Sequence, residues 1–238
     1  MFKINNLKIN SAKTNTDSDG QTLVENATLE INAGEIVLLE GSNGSGKTTI
    51  LNSIMHNPDY KIEQGQIFVN GLDATMLETH ELAKMGVYLS MQHSPEIGGV
   101  STIKMLYKAS KFVNEKVEKD KGKVDISITE FKKELEAKCE LFALDSLILM
   151  RDVNVGFSGG EKKQADLIHM LALDPKIILM DEPDSGVDRD AISKVYNVIN
   201  YFKNKGAAIL LTSHNERVRE LIISRVYRVQ DRVVTEIK

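Results

Sequence analysis

The stretch Gly41-Ser42-Asn43-Gly44-Ser45-Gly46-Lys47-Thr48 constrains the fold of this chain more than any other. It matches G-x-x-x-x-G-K-[ST], in which glycines let backbone N–H groups turn inward around a phosphate. Lys47 supplies a full positive charge for β- and γ-phosphates, and Thr48 a hydroxyl for Mg²⁺. Thr49 can bond a more distal phosphate oxygen. The flanks suit such a loop. Residues 36–39 are a continuous apolar run, as in a strand buried on both faces, and a helix is expected from residue 47 to about 56. The helix N-terminus adds partial positive charge at the loop. A dinucleotide-binding turn is disfavoured, because no third glycine stands where G-x-G-x-x-G needs one and Lys-Thr-Thr follows instead.

The rest of the chain alternates strand and helix signals. Residues 2–9 and 23–31 read as strands around a polar loop at 14–21. Further strands are expected at 66–70, 87–91, 176–180 and 207–212. Residues 225–228 and 233–237 flank Gln230-Asp231, read as a hairpin turn. Asp188 can cap a helix in which Ala191, Ile192, Val195, Val198, Ile199 and Phe202 share one face. This order argues for a mostly parallel sheet with covering helices. Residues 97–157 differ. They are rich in Lys and Glu and carry helical patterns (Ile103, Leu106, Tyr107; Phe131, Leu135, Leu141, Phe142), with a turn expected at 119–123. They read as a helical subdomain inserted into a core formed by 1–96 and 158–238, within one domain.

Composition closes other options. With 238 residues and a net charge of −4, the chain suits one domain plus an insert, and no broad positive field invites nucleic acid. The single cysteine, Cys139, excludes an internal disulfide or a Cys-based metal site and fits a reducing compartment. It is expected to be a buried structural thiol. Apolar runs such as 207–211 are far shorter than a membrane span, and residues 1–6 show no secretory signal.

A second half-site follows the apolar run at 177–180, where Asp181 and Glu182 stand together. Asp181 can hold the Mg²⁺ shell, and Glu182 can orient and deprotonate water. The guanine-reading pattern Asn-Lys-x-Asp is absent at Asn204-Lys205. About twenty residues before Asp181 stands Phe157-Ser158-Gly159-Gly160-Glu161, which resembles the signature motif of the ATP-binding-cassette (ABC) family. Gln92 is similar in place to that family's Q-loop glutamine. Ser185-Gly186-Val187-Asp188 resembles its D-loop, and His214 its switch histidine. The resemblance implies an α/β P-loop fold with a mixed central sheet, an N-terminal antiparallel β subdomain and the inserted helical subdomain. It implies an ATPase using ATP and Mg²⁺, with Glu182, Lys47, His214 and Gln92 catalytic and Thr48, Gln92 and Asp181 around the metal. Ser158, Gly159, Gly160 and Glu161 would then act on ATP bound to a second copy, in an ATP-dependent homodimer. The other histidines (56, 80, 93 and 169) are read as ordinary ones.

Two stretches go further. Residues 92–101 (Gln-His-Ser-Pro-Glu-Ile-Gly-Gly-Val-Ser) and 156–163 (Gly-Phe-Ser-Gly-Gly-Glu-Lys-Lys) resemble the SufC-type ABC ATPases of iron–sulfur cluster assembly. That resemblance implies SufB-like scaffold partners, with SufD-like ones as further candidates, and a cytoplasmic or organelle-stromal location without direct membrane insertion. The alternative is an ATP-binding subunit docked on a membrane permease. A chromosome or repair ATPase is disfavoured, since the insert is too short for a long coiled coil. No aromatic residue stands between Phe2 and Tyr60, so adenine is expected to lie on aliphatic side chains.

Overall fold

The computed structural model describes residues 1–12, 20–92, 94–120, 126–186, 188–215, 217–218, 221 and 223–237. Most of the expected loop at 14–21, His93, Val187 and most of the expected turn at 119–123 lie outside them. The chain divides into two compact units. One comprises Met1–Ser90, Lys176–Ser185 and Phe202–Lys238; the other comprises Met91–Pro175 and Gly186–Tyr201.

In the first unit five strands run parallel: β3 (Ile36–Glu40), β6 (Val87–Ser90), β9 (Ile177–Met180), β10 (Ala208–Thr212) and β11 (Arg225–Gln230). Their order is β11-β3-β10-β9-β6. Every residue of β9 and β10 is buried, which is why their sequences are apolar without alternation up to Thr212 at the end of β10. The other half of the sheet is antiparallel: β1 (Phe2–Ser11), β2 (Thr22–Ile31), β4 (Tyr60–Val69) and the short β5 (Leu72–Asp73). Here one face is buried, so Phe2, Ile4, Leu29, Ile31, Ile67 and Val69 alternate with solvent-facing residues. Helix α1 (Lys47–Ile54) adds Ile50, Leu51 and Ile54 to the same apolar core. Helix α2 (Thr79–Lys84) adds Leu82.

The two halves of the sheet meet at a thin seam. Strand β12 (Val233–Glu236) pairs antiparallel with β11 and touches β2 through one register pair, Val233 with Asn26. The Arg232 carbonyl adds a bond from the Glu25 N–H at 2.8 Å. Gln230 pairs with Val233, so the hairpin turn is Asp231-Arg232, one residue later than expected. Both turn residues have positive φ (50° and 65°), which matches the twist of two antiparallel strands. Strand β4 also begins earlier than the expected 66; in its first half only Tyr60 and Ile62 pack against the core, and both are partly buried, which leaves a weak signal.

The second unit holds α3 (Thr102–Asp120), α4 (Ile128–Leu141), a 3₁₀ turn (Ser146–Met150), α5 (Gly159–Leu173), most of α6 (Arg189–Asn204) and a small antiparallel sheet of β7 (Ile97–Ser101) with β8 (Asp152–Val153). It therefore takes in α5 and part of α6 besides the 97–157 segment. Ser127 and Glu130 cap α4 reciprocally. Phe131, Leu135 and Cys139, four residues apart, form its buried stripe. Leu141 falls off that stripe and is 71% exposed, contrary to the expected apolar face, whereas Phe142 meets the Tyr201 ring edge-on at 5.3 Å. Burial, then the nearby Glu136 and Asp145 carboxylates, push the Cys139 thiol up to about 11, so it stays protonated.

A bulge fixes the register of β1. Asn6 has φ 51°, and pairing shifts between Asn5 and Lys8. Opposite, Gly65 has φ +100°, and a Cβ there would stand 2.4 Å from the Asn6 carbonyl oxygen. We expect Gly65→Ala to destabilise the chain by about 1–3 kcal/mol, read as a lower urea midpoint with an unchanged slope.

Candidate nucleotide site

Strand β3 ends at Glu40 and delivers the chain into the phosphate loop. Gly41 has φ +153°, and a Cβ on it would lie 2.6 Å from the Val229 carbonyl oxygen and 2.7 Å from Ser45 Oγ. Gly46, the N-cap of α1, has φ +111°. Both glycines are thus demanded by the backbone. The Lys47 ammonium spans the loop, donating to the carbonyls of Gly41 at 2.9 Å and Ser42 at 3.0 Å. Burial pulls its pKa below the ordinary lysine range, while the charges of Glu182 and Asp181 oppose that shift. Thr48 is exposed and Thr49 half-buried on the first turn of α1, and Ser42, Asn43 and Gly44 form the exposed crest of the loop.

Strand β9 ends directly in the carboxylates. Asp181 is 2% exposed. Its Oδ1 accepts a 2.9 Å bond from the Thr212 hydroxyl, whose oxygen in turn accepts from the Glu182 N–H at 2.9 Å. Glu182 has φ +48°, an unusual conformation for a side-chain-bearing residue, costing roughly 1–3 kcal/mol. Ser185 N–H donates to its carbonyl at 3.1 Å. One step along, the buried Ser213 hydroxyl donates to Asp184 at 2.7 Å. Neighbouring hydroxyls at the end of β10 thus hold the turn that follows β9. They leave His214 at its rim, its Nε2 3.3 Å from a Glu182 carboxylate oxygen.

Among the described residues, Asp181 Oδ2 and Ser45 Oγ are buried without a hydrogen-bond partner. An unsatisfied buried carboxylate oxygen suits a hydrated divalent cation, and an unsatisfied hydroxyl in the loop suits a phosphate oxygen. The residues present therefore fit Mg²⁺ and a polyphosphate. The loop, Ser213 and His214 border a cavity of about 1270 Å³, whose lining includes no Phe, Tyr or Trp among the described residues. Leu23, Val218, Leu221 and Ile223 supply its aliphatic surface. At its edge Arg228 reaches Glu40 through Nε at 2.8 Å and through a second guanidinium nitrogen.

The structure brings the phosphate loop, Asp181, Glu182 and His214 together in the first unit. Gln92, the signature residues and Asp188 belong to the second. Gln92 is exposed just after β6. Asp188 caps α6, accepting from the Ala191 N–H at 2.9 Å. Ser158 caps α5: its Oγ accepts from Glu161 N–H at 3.2 Å, and its own N–H donates to Glu161 at 2.8 Å. Gly159 is exposed, and a Cβ on either Gly159 or Gly160 would meet nothing within 4 Å among the described residues. Sequence reasoning passed over Thr212 and Ser213, although two hydroxyls directly before His214 at a strand end are a usable signal.

We expect Thr212→Val, which leaves Asp181 Oδ1 and the Glu182 N–H unpaired, to cost about 1–3 kcal/mol by urea titration. Nucleotide turnover should fall at least tenfold, because the Glu182 backbone loses its anchor; wild-type turnover would show that the stitch is dispensable.

The model of the ABC transporter family matches residues 24–185. The chain is similar to a probable ATP-dependent transporter, slr0075, of Synechocystis sp., at 38% identity over 86% of this chain and 78% of that one. It is similar to a probable ATP-dependent transporter, ycf16, of Cyanidium caldarium, at 34% identity over 88% of this chain and 81% of the relative. Among solved structures, the ATP-binding cassette MJ0796 in a dimeric post-hydrolysis state with ADP and Pi superposes with a TM-score of 0.79 at 22% identity, covering 100% of this chain and 98% of that one.

Proposed function

This chain belongs to the ABC transporter family and is an ATPase that uses ATP with Mg²⁺, and on that premise we propose that it closes as an ATP-bound dimer to remodel an iron–sulfur assembly scaffold. What carries the scaffold part is the segment 92–101, which resembles the extended Q-loop of SufC-type ATPases. In this chain the segment is bound to the signature loop. Asn154 donates to the Pro95 carbonyl at 2.9 Å, Lys162 pairs with Glu96 at 2.8 Å, and Gly99 N–H donates to Asp152 at 2.8 Å. A SufB-like or SufD-like protein pressing on 95–101 would bear on the signature directly.

The chemistry asks for positioning and charge neutralisation more than for covalent steps. Lys47 and the loop N–H groups hold the β- and γ-phosphates. Glu182 orients the attacking water and accepts its proton, and His214 beside it bonds the γ-phosphate. Thr48, Asp181 and Gln92 would hold Mg²⁺, which neutralises phosphate charge when bound. Each chain carries one phosphate loop and one signature helix. The first N–H groups of α5, at Gly159 and Gly160, lack helical acceptors and form an anion site. Among the described residues nothing crowds a side chain at these glycines, so their smallness serves a close approach by another body. A second copy with its bound nucleotide fits that need, with Ser185 and Asp188 of the D-loop at the same contact.

Relatives named as probable ATP-dependent transporters favour a second reading, a cassette docked on a permease. Among the described residues no helix is long and apolar enough to cross a membrane, which suits either reading.

Glu182→Gln should retain ATP affinity, lose at least a hundredfold in turnover, and accumulate as a dimer on size exclusion with ATP. Undiminished hydrolysis would remove Glu182 from the base role. Affinity capture from separated cytosolic and membrane fractions divides the two readings. We expect a soluble scaffold to co-purify; recovery with a polytopic membrane protein would establish the permease reading instead.

A further inference from the structure

Arg151 grips the loop that leads into α5 at several points. Its guanidinium pairs with Glu161 through Nη1. Its Nη2 donates to the carbonyls of Val155 and Gly156, both at 3.3 Å. The guanidinium plane covers the Phe157 ring, 4.1 Å from its centre. The residue is anchored behind as well. Its own carbonyl accepts from the buried Thr102 at the start of α3, from the hydroxyl at 2.8 Å and the N–H at 3.1 Å. The loop it holds is irregular, with positive φ at Asn154 (59°) and Gly156 (63°).

We infer that Arg151 is the positioning residue of the signature loop, setting residues 155–158 so that the N–H groups opening α5 can meet a nucleotide held by a second copy. The inference rests on the two-subunit reading above. Two physical effects support it. First, an anion site works only if N–H groups, and not carbonyl oxygens, face the anion. Arg151 takes the Val155 and Gly156 carbonyls as acceptors and so fixes which way those peptides point. Second, Glu161 stabilises the helix start but presents a negative charge beside an incoming phosphate. Bonds from the Ser158 N–H, the Ser158 side chain and Arg151 hold its carboxyl below the usual range, so it stays ionised. The Arg151 charge offsets it. A lysine could offset the charge but could not span three acceptors with a planar fork.

The test is complementation in single-turnover γ-phosphate cleavage. Arg151→Ala alone should keep nucleotide affinity at its own phosphate loop within about twofold and lose at least roughly tenfold in cleavage rate. Mixed with Glu182→Gln, which keeps an intact signature, it should recover cleavage to roughly fivefold or more above the sum of the two alone. One composite site then has a sound loop from one chain and a sound signature from the other. Ser158→Arg mixed in the same way is the reference for a signature defect. Rescue of Ser158→Arg without rescue of Arg151→Ala overturns the inference and leaves the dimer standing. Failure of both mixtures overturns the two-subunit reading, and this inference with it. Loss of nucleotide affinity in Arg151→Ala assigns the residue to general stability and overturns the inference. Arg151→Lys should remain slow; full activity in it would show that charge alone suffices and that loop shaping is not the role.

Discussion

The Thr212 hydroxyl is the constraint from which the rest of the catalytic geometry follows. It donates to Asp181 and accepts from the Glu182 N–H, both at 2.9 Å, inside a buried strand end. Without that acceptor the part-buried Glu182 N–H would lose this hydrogen bond, and its left-handed conformation would lack its anchor. Because the hydroxyl takes one oxygen of Asp181, the other is left for a cation. Because the backbone at Glu182 turns there, its side chain comes beside His214. A hydroxyl–carboxylate pair on adjacent parallel strands is a stable place for this job, since β9 and β10 are registered residue by residue.

The parallel strands carry the whole logic of placement. β3, β9 and β10 are neighbours or next neighbours in the sheet, and all point the same way. Their carboxyl ends therefore release the phosphate loop, the carboxylates and His214 on one edge. Ligands of open α/β sheets bind at such edges for the same reason. Burial on both faces makes these strands rigid, and rigidity is what phosphoryl transfer demands of its surroundings.

Much of this was legible in the sequence where short-range pattern encodes burial or turning. Apolar runs marked the central parallel strands β3, β9 and β10, and Gly41 and Gly46 marked backbone that side chains would block. The Asp188 cap appeared as read. Other parts depend on partners remote in the chain, which spacing does not encode. The Thr212 bond reaches back 31 residues to Asp181, and the Lys162–Glu96 pair spans 66. Arg151 stood within a stretch read only as a Lys- and Glu-rich helical insert, and its meaning came from the carbonyls folded onto it. The outer half of β4 and the shifted hairpin turn were missed because exposed strand residues and left-handed turn residues carry weak local signals.

The seam at β12 has a further consequence. The antiparallel and parallel halves of the sheet are joined there by one strand pair and the Arg232 carbonyl. The nucleotide cavity draws its walls from both sides of that joint: Gln21, Thr22 and Leu23 from one, Glu40, Val226 and Arg228 from the other. A ligand that fills this cavity and binds only the folded chain would touch both sides of the joint, so its binding free energy would add to the stability of both halves together.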